Sequence, residues 1–94
     1  MNTNIILNEY KELAKRRHNL NVEIEYSNDR VKNDELLIEL DSVKSKMAEI
    51  EKDCNIRMLS GEAVIYDENK IIATTTQDPK KIDRIQKTLN IINE

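Results

Sequence analysis

The chain has 94 residues, 35% charged and 38% hydrophobic, with no Trp, no Phe and only three Tyr. That length allows one small domain, and the thin apolar content suits helices with narrow stripes better than a thick core. A net charge of −3 with both signs interspersed lacks the basic footprint of a direct nucleic-acid binder, and the lone Cys54 leaves no partner for an internal disulfide.

In chain order, the first element runs over about residues 4–26. Apolar side chains recur at Ile6, Tyr10, Leu13, Leu20 and Ile24, the four-three rhythm of a helix stripe. Arg17 occupies the position where the next apolar residue is due. A charge in a stripe is costly unless it snorkels to water or meets a carboxylate, so Arg17 is a candidate for partner or helix pairing. A second stripe, Leu36, Leu40, Val43, Met47, Ile50 and Cys54, predicts a helix over about 34–58 in a different register. Between them lies "SNDRVKNDE", rich in residues that favour caps and turns. Two geometries fit: an antiparallel helical hairpin, or one long helix that pairs with a second copy.

Gly61, the only glycine, is expected to close the second helix. "EAVIYD" and "KIIATTT", separated by "DENK", predict a β-hairpin over about 62–76. Strand alternation puts Val64 and Tyr66 on one face and Ala63 and Ile65 on the other, so both faces need cover. An isolated hairpin is marginal in water and must lean on a helix, a copy or a partner. Asp78 as cap and Pro79 in the first turn start a last helix over about 79–92, striped by Ile82, Ile85, Leu89 and Ile92. The fold class is therefore mainly α with a small β-hairpin, in the order α-α-β-β-α, as one domain over 1–94.

No chemistry is legible in the side chains. His18 has no second nitrogen or thiol ligand nearby in sequence and no nucleophile to activate, so it is expected to be solvated. Cys54 lies on an apolar stripe beside Asp53 and reads as a buried small hydrophobe rather than a reactive thiol. The carboxylates sit one helical turn from cations, as on a solvated face, and no Gly-rich phosphate loop is present. These features predict no enzyme activity, no catalytic residue, no metal and no cofactor. Two basic clusters remain, Lys15–Arg17 and "DPKKIDRIQK" with Lys80, Lys81 and Arg84. Either could touch phosphates or an acidic protein surface, but neither is interleaved with stacking aromatics and Glu12, Glu23 and Asp83 dilute them, so a solvated face is expected, with a partner contact as the alternative. Arg17, Val64, Tyr66, Ile71, Lys80, Lys81 and Arg84 are the expected partner contacts. No run is long enough to span a membrane, and "MNTNIILNEYKELAKRR" lacks the build of a secretion signal, so a cytoplasmic protein is expected.

Residues 49–83, "EIEKDCNIRMLSGEAVIYDENKIIATTTQDPKKID", resemble the tail of YqaJ-type phage recombination exonucleases. The matching positions are Met58, Gly61, Glu62, Ala63 and the "IIATTT" strand. Where that family has a Trp-Lys pair this chain has Thr75 and Thr76, and the catalytic Asp, Glu and Lys set has no counterpart. The resemblance implies an accessory module in a phage setting rather than a nuclease. The functional expectation is a non-enzymatic phage-type protein that binds a nuclease or recombination complex, such as an anti-CRISPR-like inhibitor of host defence. The alternative is a self-associating coiled-coil adaptor, a homodimer accessory to phage recombination.

Overall fold

A computed structural model describes residues 2–92. Helix α1 spans Thr3–Tyr26 and begins where the Asn2 side chain accepts from the Asn4 N–H. Helix α2 spans Arg30–Asp53, and its cap is Asp29, whose Oδ1 accepts from the N–H groups of Val31 and Lys32. Only residues 27–29 join the two helices, so the chain reverses as a helical hairpin. Cross-links confirm the antiparallel sense: Tyr10 bonds to Glu51, and Arg16, further along α1, bonds back to Glu39. Leu7, Tyr10 and Leu20 of α1 bury against Leu36, Leu40, Val43 and Met47 of α2. The stripes that would have built a coiled coil between copies are thus consumed within one chain.

The second helix differs from its expected bounds of 34–58. It starts earlier because Asp29 takes the capping role, and it ends at Asp53. Cys54 has extended backbone while its N–H still bonds to the Ile50 carbonyl, closing the helix without glycine. Residues Ile56–Leu59 then form a strand, β1, that the helical rhythm had concealed. Gly61 accordingly does not end a helix. With Ser60 it makes the two-residue turn into β2 (Glu62–Asp67), at φ 53° for Ser60 and 78° for Gly61. Positive φ at both central positions is the geometry that matches the twist of a tight β-hairpin, and glycine adopts it without strain.

Strand β3 spans Lys70–Thr74, and the three strands form an antiparallel meander in the order β1-β2-β3. Leu59 pairs with Glu62 and Ile56 with Ile65 on one side of β2. On the other side Ile65 pairs with Ala73 but Tyr66 with Ile71, so Ile72 is the extra residue of a bulge and stands exposed. Asn55 prolongs the β1 edge, its carbonyl accepting from Tyr66 N–H and its side chain donating to Tyr66 O. The observed order is α-α-β-β-β-α.

Helix α3 spans Pro79–Ile92. Asp78 accepts from the Lys80 N–H at 3.0 Å, and the Thr76 hydroxyl in turn accepts from Asp78 N–H. The cap expected from Asp78-Pro79 is in place. The sheet lies between the helical hairpin and α3. Ile56, Ala63, Ile65, Met58 and Ala73 face the hairpin, while Leu59, Val64, Tyr66 and Ile71 face Ile85 and Leu89 of α3. Both apolar faces of the strands are therefore covered by the chain's own helices.

Candidate binding surface

Strand alternation puts Glu62 on the same face as Val64 and Tyr66, at the start of β2. The residue is only 5% exposed, which would be prohibitive for a lone carboxylate. Three donors meet it. Lys11 Nζ of α1 donates to Oε2 at 2.8 Å, Lys81 Nζ of α3 donates to Oε1 at 3.2 Å, and the Thr75 hydroxyl donates to Oε2. Burial alone would raise the Glu62 pKa, but the bonds from Lys11, Thr75 and Lys81 outweigh it and hold the carboxyl down at about 2. Thr75 is itself fixed, because its N–H donates to Ala63 O and its Oγ1 accepts from Ala63 N–H. One carboxylate thereby joins the helical hairpin, the sheet and α3. Every oxygen is engaged in a structural bond, and the arrangement reads as a clasp rather than a catalytic acid.

Beside this clasp runs a shallow groove of ≈ 440 Å³ between α1 and the β1–β2 turn. It is lined by Lys15, Arg17, His18 and Asn19, with Ala14 and Met58 as apolar surface and Gly61 of the turn. Ala14, Arg17 and His18 are neighbours on α1 at i, i+3 and i+4, and Lys15 flanks His18 one turn before it. Lys15 lies 3.5 Å from Glu12, both side chains exposed. The side chains of Arg17 and His18 have no hydrogen bond or ion pair among the described residues.

The turn end of the helical hairpin is apolar in a different way. Tyr26 (78%), Val31 (70%) and Ile38 (72%) are largely exposed, and Val22 and Leu37 are partly so. None of the stripe positions calls for them, since Leu20, Leu36 and Leu40 already fill the space between the helices.

The residues expected to meet a partner are scattered by the fold. Val64 is 0% exposed, enclosed between the sheet and α3, which corrects its assignment as a contact. Tyr66 and Ile71 are partly buried against the same helix, so their apolar surface serves internal packing first. Lys81 is committed to Glu62. Lys80 and Arg84 are exposed on α3, and Arg17 is half-buried in the groove. Gly61, one residue from Glu62, also lines the groove. Arg17 does not pair the helices; Arg16 does, through Glu39.

Cys54 is partly buried, its thiol donating to Ile50 O, and burial together with the charge of Asp53 pushes its pKa up. It sits in a second, acidic recess of ≈ 210 Å³ with Glu9, Glu49 and Asp53. No group of three His, Cys, Asp or Glu side chains among the described residues is placed to hold a metal ion. No helix among them is long and apolar enough to cross a membrane.

Comparison of the chain with protein-family models, curated proteins and solved structures finds no match.

Proposed function

We propose that this chain is a non-enzymatic cytoplasmic binding protein that docks on a nucleic-acid-processing protein and modulates it, in the manner of a phage-borne, anti-CRISPR-like inhibitor of a host defence nuclease. The observation that carries the reading is the turn end of the helical hairpin. Tyr26, Val31 and Ile38 stand in solvent there although the stripe beneath them is complete. Large apolar side chains that a fold does not use are surface available for burial against another protein, and aromatic residues are favoured at the centres of such contacts. The likeness of residues 49–83 to an exonuclease tail supports a partner of the nucleic-acid-processing class.

The test is affinity capture with the tagged chain from a bacterial lysate containing defence and recombination nucleases, followed by DNA-cleavage assays on whatever is enriched. The expected result is enrichment of one such enzyme, dose-dependent change of its cleavage, and at least about tenfold weaker capture by Tyr26→Asp/Ile38→Asp with unchanged circular dichroism. Cleavage unaffected at molar excess, with no nucleic-acid-processing protein enriched, overturns it.

A further inference from the structure

Five of the fifteen Lys and Arg side chains form ion pairs among the described residues, and both half-buried lysines, Lys11 and Lys81, are among the five. Lys11 and Lys81 meet Glu62, Arg16 meets Glu39 and Lys87 meets Asp83. The groove between α1 and the β1–β2 turn departs from that pattern. Arg17 and His18 line it with no hydrogen bond or ion pair among the described residues, in a chain where acids outnumber bases by 18 to 15. Arg17 is also half-buried in a stripe position, where a guanidinium with five donors is costly to leave unmatched. Lys15 at the same groove already meets Glu12, but a half-buried guanidinium with no hydrogen-bonded carboxylate is left to take an anion that comes from outside.

We propose that this groove is a docking site for an acidic segment of a partner protein, an Asp- or Glu-rich stretch carrying one apolar side chain. The guanidinium of Arg17 can take a carboxylate through two parallel N–H donors, and Lys15 is a second cation on the same groove. Ala14 and the flexible thioether of Met58 supply a surface for the apolar side chain. The volume of ≈ 440 Å³ lies within the range of about 300–1,000 Å³ typical of ligand sites. Polypeptide is favoured over nucleic acid by two features of the same groove. No aromatic side chain lines it to stack a base, and Glu12 beside Lys15 repels a continuous phosphate backbone. The proposal rests on the reading of the chain as a protein-binding module and specifies one surface of it.

A displayed library of randomised 12-residue peptides, selected on the full chain, tests it. The selected peptides are expected to be enriched in Asp and Glu with an apolar residue among them. Synthesised and titrated, they are expected to bind at least about tenfold more weakly to Arg17→Glu and to His18→Glu, the second variant guarding against any effect of R17E on folding. Because Gly61 is the only glycine, its amide is a single identifiable NMR reporter in the groove's lining, and it is expected to shift on peptide addition. Selected peptides without acidic enrichment, equal affinity for both variants, or an unmoved Gly61 resonance at saturation overturns the proposal. So does a 12-nucleotide single strand that moves Gly61 at lower concentration than any peptide. Binding that resists R17E and H18E but is lost in Tyr26→Asp/Ile38→Asp sinks the groove and leaves the binding-protein reading intact. Groove-dependent peptide binding without capture of any nuclease sinks the partner's identity and leaves the groove.

Discussion

The two faces of the small sheet are covered by unequal means. On one face lie two helices of 24 residues each, and their burial runs from Leu7 through Leu20, Leu36 and Met47 down to Ile56 and Ala63. On the other lies a single helix of 14 residues that inserts only two fully buried side chains, Ile85 and Leu89, against Leu59 and Val64. Apolar burial contributes roughly 25 cal/mol per Å², so the second face cannot match the first by area. It compensates with polar ties. Lys81 holds Glu62, the Gln86 side chain donates to the Asn69 carbonyl, and Asn69 donates to Asn90. A face with little core is made specific by hydrogen bonds that place α3 in one register, whereas the hairpin face is held by repetition along its stripes.

The largest test of this contrast is Leu89→Asp. A carboxylate at a fully enclosed position of the smaller core is expected to cost more than about 4 kcal/mol and to release α3. Loss of helical circular dichroism limited to α3, with the α1–α2 amides still protected from hydrogen exchange, is the expected outcome. A single cooperative transition that takes α1 and α2 down together would show that the two faces are not separable. The counterpart on the other face, Leu20→Ala, is expected to cost about 2–5 kcal/mol and to lower protection throughout.

Glu62 is where the two faces are tied together, and Glu62→Gln is the next largest effect. Replacing the carboxylate by an amide removes the charge and one of the two acceptor oxygens that Lys11 and Lys81 share, at about 2–3 kcal/mol; the lower end is favoured because Lys81 remains 45% exposed. The same clasp sets the acid limit of the fold. The folded carboxyl at about 2 lies below the ordinary 4.5, so the folded state holds fewer protons than the unfolded state between those values. The stabilisation is therefore complete above about pH 4.5 and is lost as pH falls toward 2. Chemical denaturation at stepped pH is expected to show this slope in the native chain and a shallower one in E62Q. Equal slopes would mean that Glu62 is not the group titrating.

Much of the hairpin face was legible in the sequence because its signals are periodic, the two stripes and the cap-rich segment between them, and on the other face the Asp78-Pro79 start of α3 appears where the side chains place it. Strand β1 was not, since Ile56, Met58 and Leu59 can extend an apolar helical run as readily as they alternate in a strand. Only the Ser60-Gly61 pair, read as a hairpin turn instead of a helix end, would have exposed it. That one misreading also hid the cover of the strands, because a two-stranded hairpin with two apolar faces asks for a partner and a three-stranded sheet between helices does not. The alternation that placed Val64 and Tyr66 together carried Glu62 with them, and Lys81, Ile85 and Leu89 share a helix face at intervals of four. The Glu62–Lys81 contact could have been read from those two rhythms; Lys11 could not, since no local pattern reports which helix flank meets a strand end. The groove at Arg17 was legible only as a charge out of place in a stripe.

The smallest effect bears on the turn that sets β1 against β2. Gly61 has open space around it, with no atom beyond its own chain neighbours within 4 Å of where a Cβ would stand, so Gly61→Ala creates no clash with the rest of the fold. Its cost comes from backbone alone, at φ 78°, and is expected to be about 1 kcal/mol. Gly61→Asn, a residue that tolerates the left-handed region, is expected to recover part of that loss, as measured by the denaturation midpoint at constant m-value. If Ala and Asn at this position were equally stable, the turn would not hold both positive-φ residues in solution. Glu62 would then have no fixed placement between Lys11 and Lys81, and the two faces of the sheet would lose the point that joins them.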